Sequence, residues 1–254
     1  MVLGWGFIML GKNNELAGRV ALVTGAGKRL GQAIALRLAR EGADVAVHYG
    51  KSAKEAQEVV VEIEKHGRRA AAFSAEMTDV RAIRKMVADA AGRFGRLDIL
   101  VNTAANFLQT KFAETTEEGW AASLDTNLKG PFFCSQAAAP HLAKSGRGVI
   151  INFADLGGLL GWREFAPHSI SKAGVVMLTK VLAKELAPAV RVNAIAPGTI
   201  TMPGDPPEWE QDYVQKAPLG RPGRPGDITD AVMYLIAAEF VTGHVLVLDG
   251  GRSL

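Results

Sequence analysis

The chain is poor in several things that would have pointed elsewhere. Among its 254 residues there is one cysteine, Cys134, so no internal disulfide can form, and this usage fits a reducing cytoplasm. Cys134 lies in the apolar run Pro131-Phe132-Phe133-Cys134, which reads as a buried structural thiol rather than a nucleophile. The apolar stretch at 2–10 is far shorter than the roughly 20 residues that span a bilayer. It also lacks the basic start and small-residue cleavage site of a signal peptide, so residues 1–15 are set aside as an N-terminal extension, read as a mispredicted start, a membrane-surface contact or a disordered segment, and no membrane partner is assigned to the domain. The net charge is only +3 and the basic residues are dispersed, which argues against a nucleic-acid partner. No linker, repeat or low-complexity break divides the chain, and no metal site is assigned.

What remains is an ordinary globular composition, 48% hydrophobic and 22% charged, with a strongly patterned start. Val20-Ala21-Leu22-Val23 reads as a buried strand, Thr24-Gly25-Ala26-Gly27-Lys28-Arg29-Leu30-Gly31 as a tight turn, and 32–42 as a helix. A strand, a glycine-rich turn and a helix N-terminus together present backbone N–H groups and a favourable dipole to a phosphate. Alternation continues with strands over 43–48, 70–74, 97–102, 148–153, 190–196 and 244–248. Helices are expected over 52–66 (N-capped by Ser52), from Asp79 to about 94, over 117–143 with a break near Gly130-Pro131, over 167–186 and over 228–239. This order predicts one α/β domain spanning 16–254, a doubly wound, parallel seven-stranded sheet of Rossmann type with helices on both faces. A Pro- and Gly-rich insertion at about 200–226 is expected to lie over a substrate site.

With these elements placed, the chain resembles the short-chain dehydrogenase/reductase family over nearly all of its length from Leu16. Thr24, Gly25 and Gly31 match the family's phosphate turn, with Arg29 where the middle glycine falls. Asn102-Thr103-Ala104-Ala105 matches its motif after strand four. Asn127 falls at its helical catalytic asparagine, and Pro197-Gly198 and Asp249-Gly250-Gly251 match later motifs. Lys28-Arg29-Leu30-Gly31, the run from His48 to Ala53, Asp155, Phe107 and Trp209 are closest to the pteridine reductases. There Phe107 corresponds to a pterin-stacking aromatic and Trp209 to a tryptophan near the pocket.

The resemblance implies a nicotinamide cofactor, and the end of the second strand, Val47-His48-Tyr49, carries no carboxylate to bind the adenosine ribose. Lys28, Arg29, His48, Lys51 and Ser52 can instead converge on a ribose 2′-phosphate, so NADP(H) is the expected cofactor. The alternative is that Lys28, Arg29 and Lys51 are solvated surface charges. The expected cofactor contacts also include Gly25, Leu30, Asn102, Ala104, Pro197 and Gly198, with Glu76 and Met77 beside the adenine.

The family carries out hydride transfer with a Tyr-x-x-x-Lys pair, but four residues before Lys172 stands His168, and Asp155 occupies the usual serine position. In the catalytic reading Asp155 orients His168, which gives a proton to substrate; an imidazolium titrates near ~6.5, against about 10 for tyrosine. In the other reading His168 merely starts a helix after Pro167 and the relay is lost. Of the three tyrosines, Tyr213 is the one that could reach the pocket in its place. Trp162 is a further candidate wall of that pocket. The leading expectation is NADPH-dependent reduction of a pterin or dihydrofolate-like C=N bond. Reduction of a carbonyl, such as a 3-oxoacyl thioester, is the alternative, and a non-catalytic NADP(H)-binding sensor or partner subunit is the alternative of another class. The resemblance also implies a cytoplasmic homotetramer acting on a small-molecule substrate.

Overall fold

The computed structural model describes residues 15–254. Of the extension assigned to 1–15, all but Glu15 lies outside the described residues. In chain order the elements are β1 (Val20–Thr24), α1 (Arg29–Arg40), β2 (Asp44–Tyr49), α2 (Ala53–Lys65), β3 (Ala70–Ser74), α3 (Val80–Phe94) and β4 (Ile99–Asn102). They continue with α4 (Glu117–Leu124), α5 (Gly130–Lys144), β5 (Gly148–Phe153), α6 (Gly157–Leu160), α7 (Ala166–Glu185), β6 (Val190–Pro197), α8 (Pro207–Lys216), α9 (Pro225–Ala237) and β7 (Val245–Leu248).

The seven strands form one sheet in the order β3-β2-β1-β4-β5-β6-β7, and every neighbouring pair is parallel. Alternation along β1 explains the layers. Ala21 and Val23 point into a core shared with Ile34 and Leu38 of α1, Val59 and Ile63 of α2, and Ile228 and Leu235 of α9. Val20 and Leu22 point into a second core with Ile83 and Met86 of α3, Cys134 and Leu142 of α5, and Leu178 of α7. Both sheet faces are thus covered, as the continuous apolar strands require. Burial pushes the Cys134 thiol up to about 12, in line with a structural rather than a reactive role.

Local chemistry sets several boundaries. The Asp79 carboxylate accepts from the amides of Arg81 and Ala82 and caps α3. Ser52 stands at the N-cap position of α2, but its side chain makes no capping hydrogen bond, so the expected Ser52 cap is positional only. The break expected in the long helix is a π-helical turn over Asp125–Lys129. The insertion differs from a Pro- and Gly-rich loop: α8 lies within it, because Glu208 to Lys216 runs without an internal proline or glycine.

Candidate active site

The nucleotide turn is shaped by close approaches that only glycine permits. Gly25 has a φ of 67°, and a Cβ at Gly31 would overlap the Gly25 carbonyl. The Thr24 hydroxyl accepts from the amides of Thr103 (3.0 Å) and Ala104 (3.1 Å), tying the ends of β1 and β4 together. Lys28 at the N-cap of α1 supplies no side-chain cap, and the first turn has no acidic residue. The helix N-terminus therefore keeps its orphan N–H groups for an anion. A nicotinamide dinucleotide fits this seat: its pyrophosphate suits the glycine-lined N-terminus, with Pro197 and Gly198 at the end of β6 on the same edge of the sheet.

Of the five basic and polar residues expected on a 2′-phosphate, three are engaged by protein partners. His48 is 1% exposed; its Nδ1 accepts from the Gly25 amide at 3.0 Å, and its Nε2 faces the Ala75 carbonyl at 3.0 Å. This pairing defines a neutral ring, and burial pushes its pKa down. His48 is thus a bolt between the turn and the residue after β3, which corrects its expected contact with phosphate. Lys28 pairs with Glu55 at 2.6 Å. Arg29, at a φ of 51°, forks onto both oxygens of Asp205 at 2.6 and 2.9 Å. Lys51 is exposed and Ser52 half-buried, with the Ser52 hydroxyl in the space that a Cβ at Gly27 would enter.

The remaining cofactor candidates divide. Glu76 is exposed and Leu30 half-buried, while Met77 is buried against Gly130 at the start of α5. Asn102 is buried; its amide donates to Ser135 Oγ (3.1 Å) and Asn152 Oδ1 (2.9 Å), joining β4, β5 and α5. Those bonds give it a structural task.

The catalytic candidates do meet. His168 Nε2 lies 2.6 Å from Asp155 Oδ2, and Lys172, one helical turn further along α7, donates from Nζ to the Phe153 carbonyl at 2.8 Å. The π turn brings Asn127 alongside: its Nδ2 donates to Asn106 O (3.1 Å) and Ser171 Oγ (3.1 Å) and approaches His168 Nδ1 at 3.5 Å. Burial by itself would raise the Asp155 carboxyl, but the His168 hydrogen bond and the Lys172 charge outweigh it and the net shift is downward. Burial pushes Lys172 down against the opposing pull of Asp155.

Aromatic rings surround His168. Trp162 lies parallel to it at a centroid distance of 6.2 Å, within reach of a cation–π attraction if the ring is charged. Phe107 meets it edge-on at 4.8 Å and stacks on Phe165 at 4.6 Å. Phe107 is 60% exposed, leaving a face for a ligand. Backbone pairing of Thr110 with Phe165 holds this wall together. Tyr213 does not join the cluster: its hydroxyl donates to the Asp249 carbonyl at 2.6 Å. The side chain of Trp209 lies outside the described residues. Phe165, Asn106, Ser171 and Asp205 were not singled out from the sequence. Ser171 has a signal there, three residues after His168 on one helical face; Asp205 has none.

Glycine turn, parallel sheet order and a polar cluster beyond the ends of β4 and β5 define a doubly wound nucleotide-binding oxidoreductase. Residues 25–253 match the family model described as enoyl-(acyl carrier protein) reductase. The 3-oxoacyl-(acyl-carrier-protein) reductase FabG of Staphylococcus aureus is 38% identical over 240 residues, 92% of this chain and 98% of that protein. A Synechocystis 3-oxoacyl-(acyl-carrier-protein) reductase is 37% identical over 94% of this chain and 98% of its own. Among solved structures, a short-chain dehydrogenase from Burkholderia cenocepacia in complex with NADP is 35% identical with a TM-score of 0.89, covering 95% of this chain and 100% of that one. A 7α-hydroxysteroid dehydrogenase with NADH and 7-oxo glycochenodeoxycholic acid is 32% identical with a TM-score of 0.88, covering 94% and 96%. The chain belongs to the short-chain dehydrogenase/reductase family, a family of NAD(P)-dependent enzymes. These relatives bear the names of oxoacyl reductases and a hydroxysteroid dehydrogenase, not of pteridine reductases, which corrects the expected subfamily.

Proposed function

We propose that this protein uses NADPH to reduce a carbonyl carbon, of a 3-oxoacyl thioester or a ketone, with His168 supplying the proton. The observation that carries this reading is the 2.6 Å contact of His168 Nε2 with Asp155 Oδ2, one helical turn from Lys172. When bound, NADPH supplies the hydride that reaches the carbonyl carbon. The carbonyl oxygen then needs one proton: protonated His168 passes the one on Nε2 by way of Asp155 Oδ2, which leaves the ring a neutral imidazole. Asp155 is the more open partner, its side chain 17% exposed against 2% for His168, so substrate meets the proton at the carboxylate edge. Asn127 approaches the ring at Nδ1 and is itself held by Ser171 Oγ, and the charge of Lys172 favours the Asp155 carboxylate. The names of the relatives favour a carbonyl substrate over a pterin. NADPH rather than NADH is supported by the absence of a carboxylate at the end of β2.

A second reading, reduction of a pterin or dihydrofolate-like C=N bond, is favoured by one observation: the exposed face of Phe107 stacked on Phe165 beside His168. A flat heteroaromatic ring would lie on that face. The β6–α8 segment and α8 then serve as the substrate lid. We further infer a cytoplasmic homotetramer, supported by the exposed Ile170, Met177 and Val181 along α7.

NADPH oxidation measured with acetoacetyl thioesters, dihydropterins and simple ketones separates the readings. His168→Phe is expected to lower kcat by about 10²–10⁴-fold, the usual worth of a general acid, and His168→Tyr to keep more activity than His168→Phe. Undiminished turnover in His168→Phe removes His168 from the mechanism. Wild-type protein that binds NADPH and reduces none of these substrates makes it a binding protein instead.

A further inference from the structure

The segment between β6 and α8 is held at two places of different character. At one, the Tyr213 hydroxyl donates to Asp249 O at 2.6 Å and abuts Gly198 so closely that a Cβ there would overlap it. This anchor is buried and made wholly within the C-terminal part of the fold. At the other, Asp205 receives both ends of the Arg29 guanidinium, and Arg29 belongs to the nucleotide turn. Asp205 is itself fixed, since one of its oxygens also accepts from the Met202 amide at 2.8 Å. The two partners are unequally covered: the side chain of Asp205 is 8% exposed and that of Arg29 is 55% exposed.

We propose that Asp205 is a positioning residue for the cofactor, which through Arg29 couples closure of the 199–206 segment to occupancy of the nucleotide turn. The proposal rests on the reading that this turn holds NADP(H). A guanidinium has five N–H donors in a rigid fork. Asp205 takes one from each terminal nitrogen, and three remain on a side chain that is 55% exposed. A cofactor phosphate seated on the α1 N-terminus gains an oriented cation instead of a freely rotating one, and one guanidinium then spans lid and cofactor. The backbone agrees with such a role. Arg29 sits at a positive φ that side chains with a Cβ disfavour, so its position is imposed by the turn. The pair also shifts both groups in the expected directions, Asp205 down and Arg29 up, each chiefly through their mutual hydrogen bond. By linkage, if the closed segment strengthens cofactor binding, the cofactor must strengthen closure by the same factor.

The test uses the full chain with NADP⁺ as probe, hydrogen exchange over 199–206 as one readout and NADP⁺ affinity by titration as the other. In wild type, NADP⁺ is expected to slow exchange in this segment. In Asp205→Asn that slowing should vanish and NADP⁺ should bind about fivefold more weakly, the low end of inter-site coupling. Arg29→Lys, which keeps the charge and loses the fork, should behave like Asp205→Asn. Tighter binding in Asp205→Asn would show that carboxylate and phosphate compete for Arg29, and overturns the proposal. Equal protection and affinity in wild type and Asp205→Asn also overturn it while leaving the cofactor reading intact. Failure of the wild type to bind NADP⁺ overturns both.

Discussion

His48 stands at the end of β2, where a polar side chain could face the ribose of a bound nucleotide, yet its ring is turned into the protein. The sequence shows a histidine next to Lys51 and Ser52. It does not show that the Gly25 amide needs an acceptor and the Ala75 carbonyl a donor, because both partners depend on how β1, β2 and β3 are brought together. The same blindness applies to Arg29, whose carboxylate partner lies 176 residues away. His168, Asp155, Lys172 and Asn127 were legible through the resemblance, because they fall at the positions of the family's Tyr-x-x-x-Lys pair, serine and helical asparagine. The buried state of His48 carries a prediction. Its pKa is pushed down in the folded protein, so the unfolded chain binds a proton first as pH falls below about 6.5. The contribution of His48 to stability is therefore complete above that pH and declines on acidification toward its lower folded value. Urea midpoints between pH 7.5 and 5.5 are expected to fall more in wild type than in His48→Gln.

At the scale of elements, strand and helix types followed from period and punctuation, and the ends moved by a few residues. The Pro- and Gly-rich insertion was the exception, since its punctuation hid α8. The unit formed by β1, the turn and α1 is the element on which cofactor binding rests. Gly31 approaches the Gly25 carbonyl across it, so Gly31→Ala must push either the turn or α1 aside. NADP⁺ affinity measured by titration should drop more than tenfold, a loss of at least about 1.4 kcal/mol. Far-UV circular dichroism should remain close to wild type, because the overlap is confined to the turn and the first residues of α1.

The described residues bury one large core on each face of the sheet and a small third cluster of Ala154, Val175 and Ala196, and they leave a row of apolar side chains on the outside of α7. Ile170, Met177 and Val181 are 48%, 57% and 44% exposed, and they recur at helical spacing on one face. If this face is an interface between copies of the chain, a charge at its centre is costly. Met177→Lys is expected to convert the assembly to smaller species by light scattering, with the melting temperature lowered as well. A wild-type monomer at micromolar concentration would refute the tetramer proposed above.

The sheet order also dictates a timetable for synthesis. β1 is flanked by β2 and β4, so this strand keeps an open edge until synthesis has passed Asn102. Asp98, whose carboxylate accepts from the Val20 amide, arrives only just before. The nucleotide seat matures at that moment, when the hydroxyl of Thr24 meets the amides of Thr103 and Ala104. His168 and Lys172 emerge later, so the glycine turn is tied to β4 before the proton donor is made.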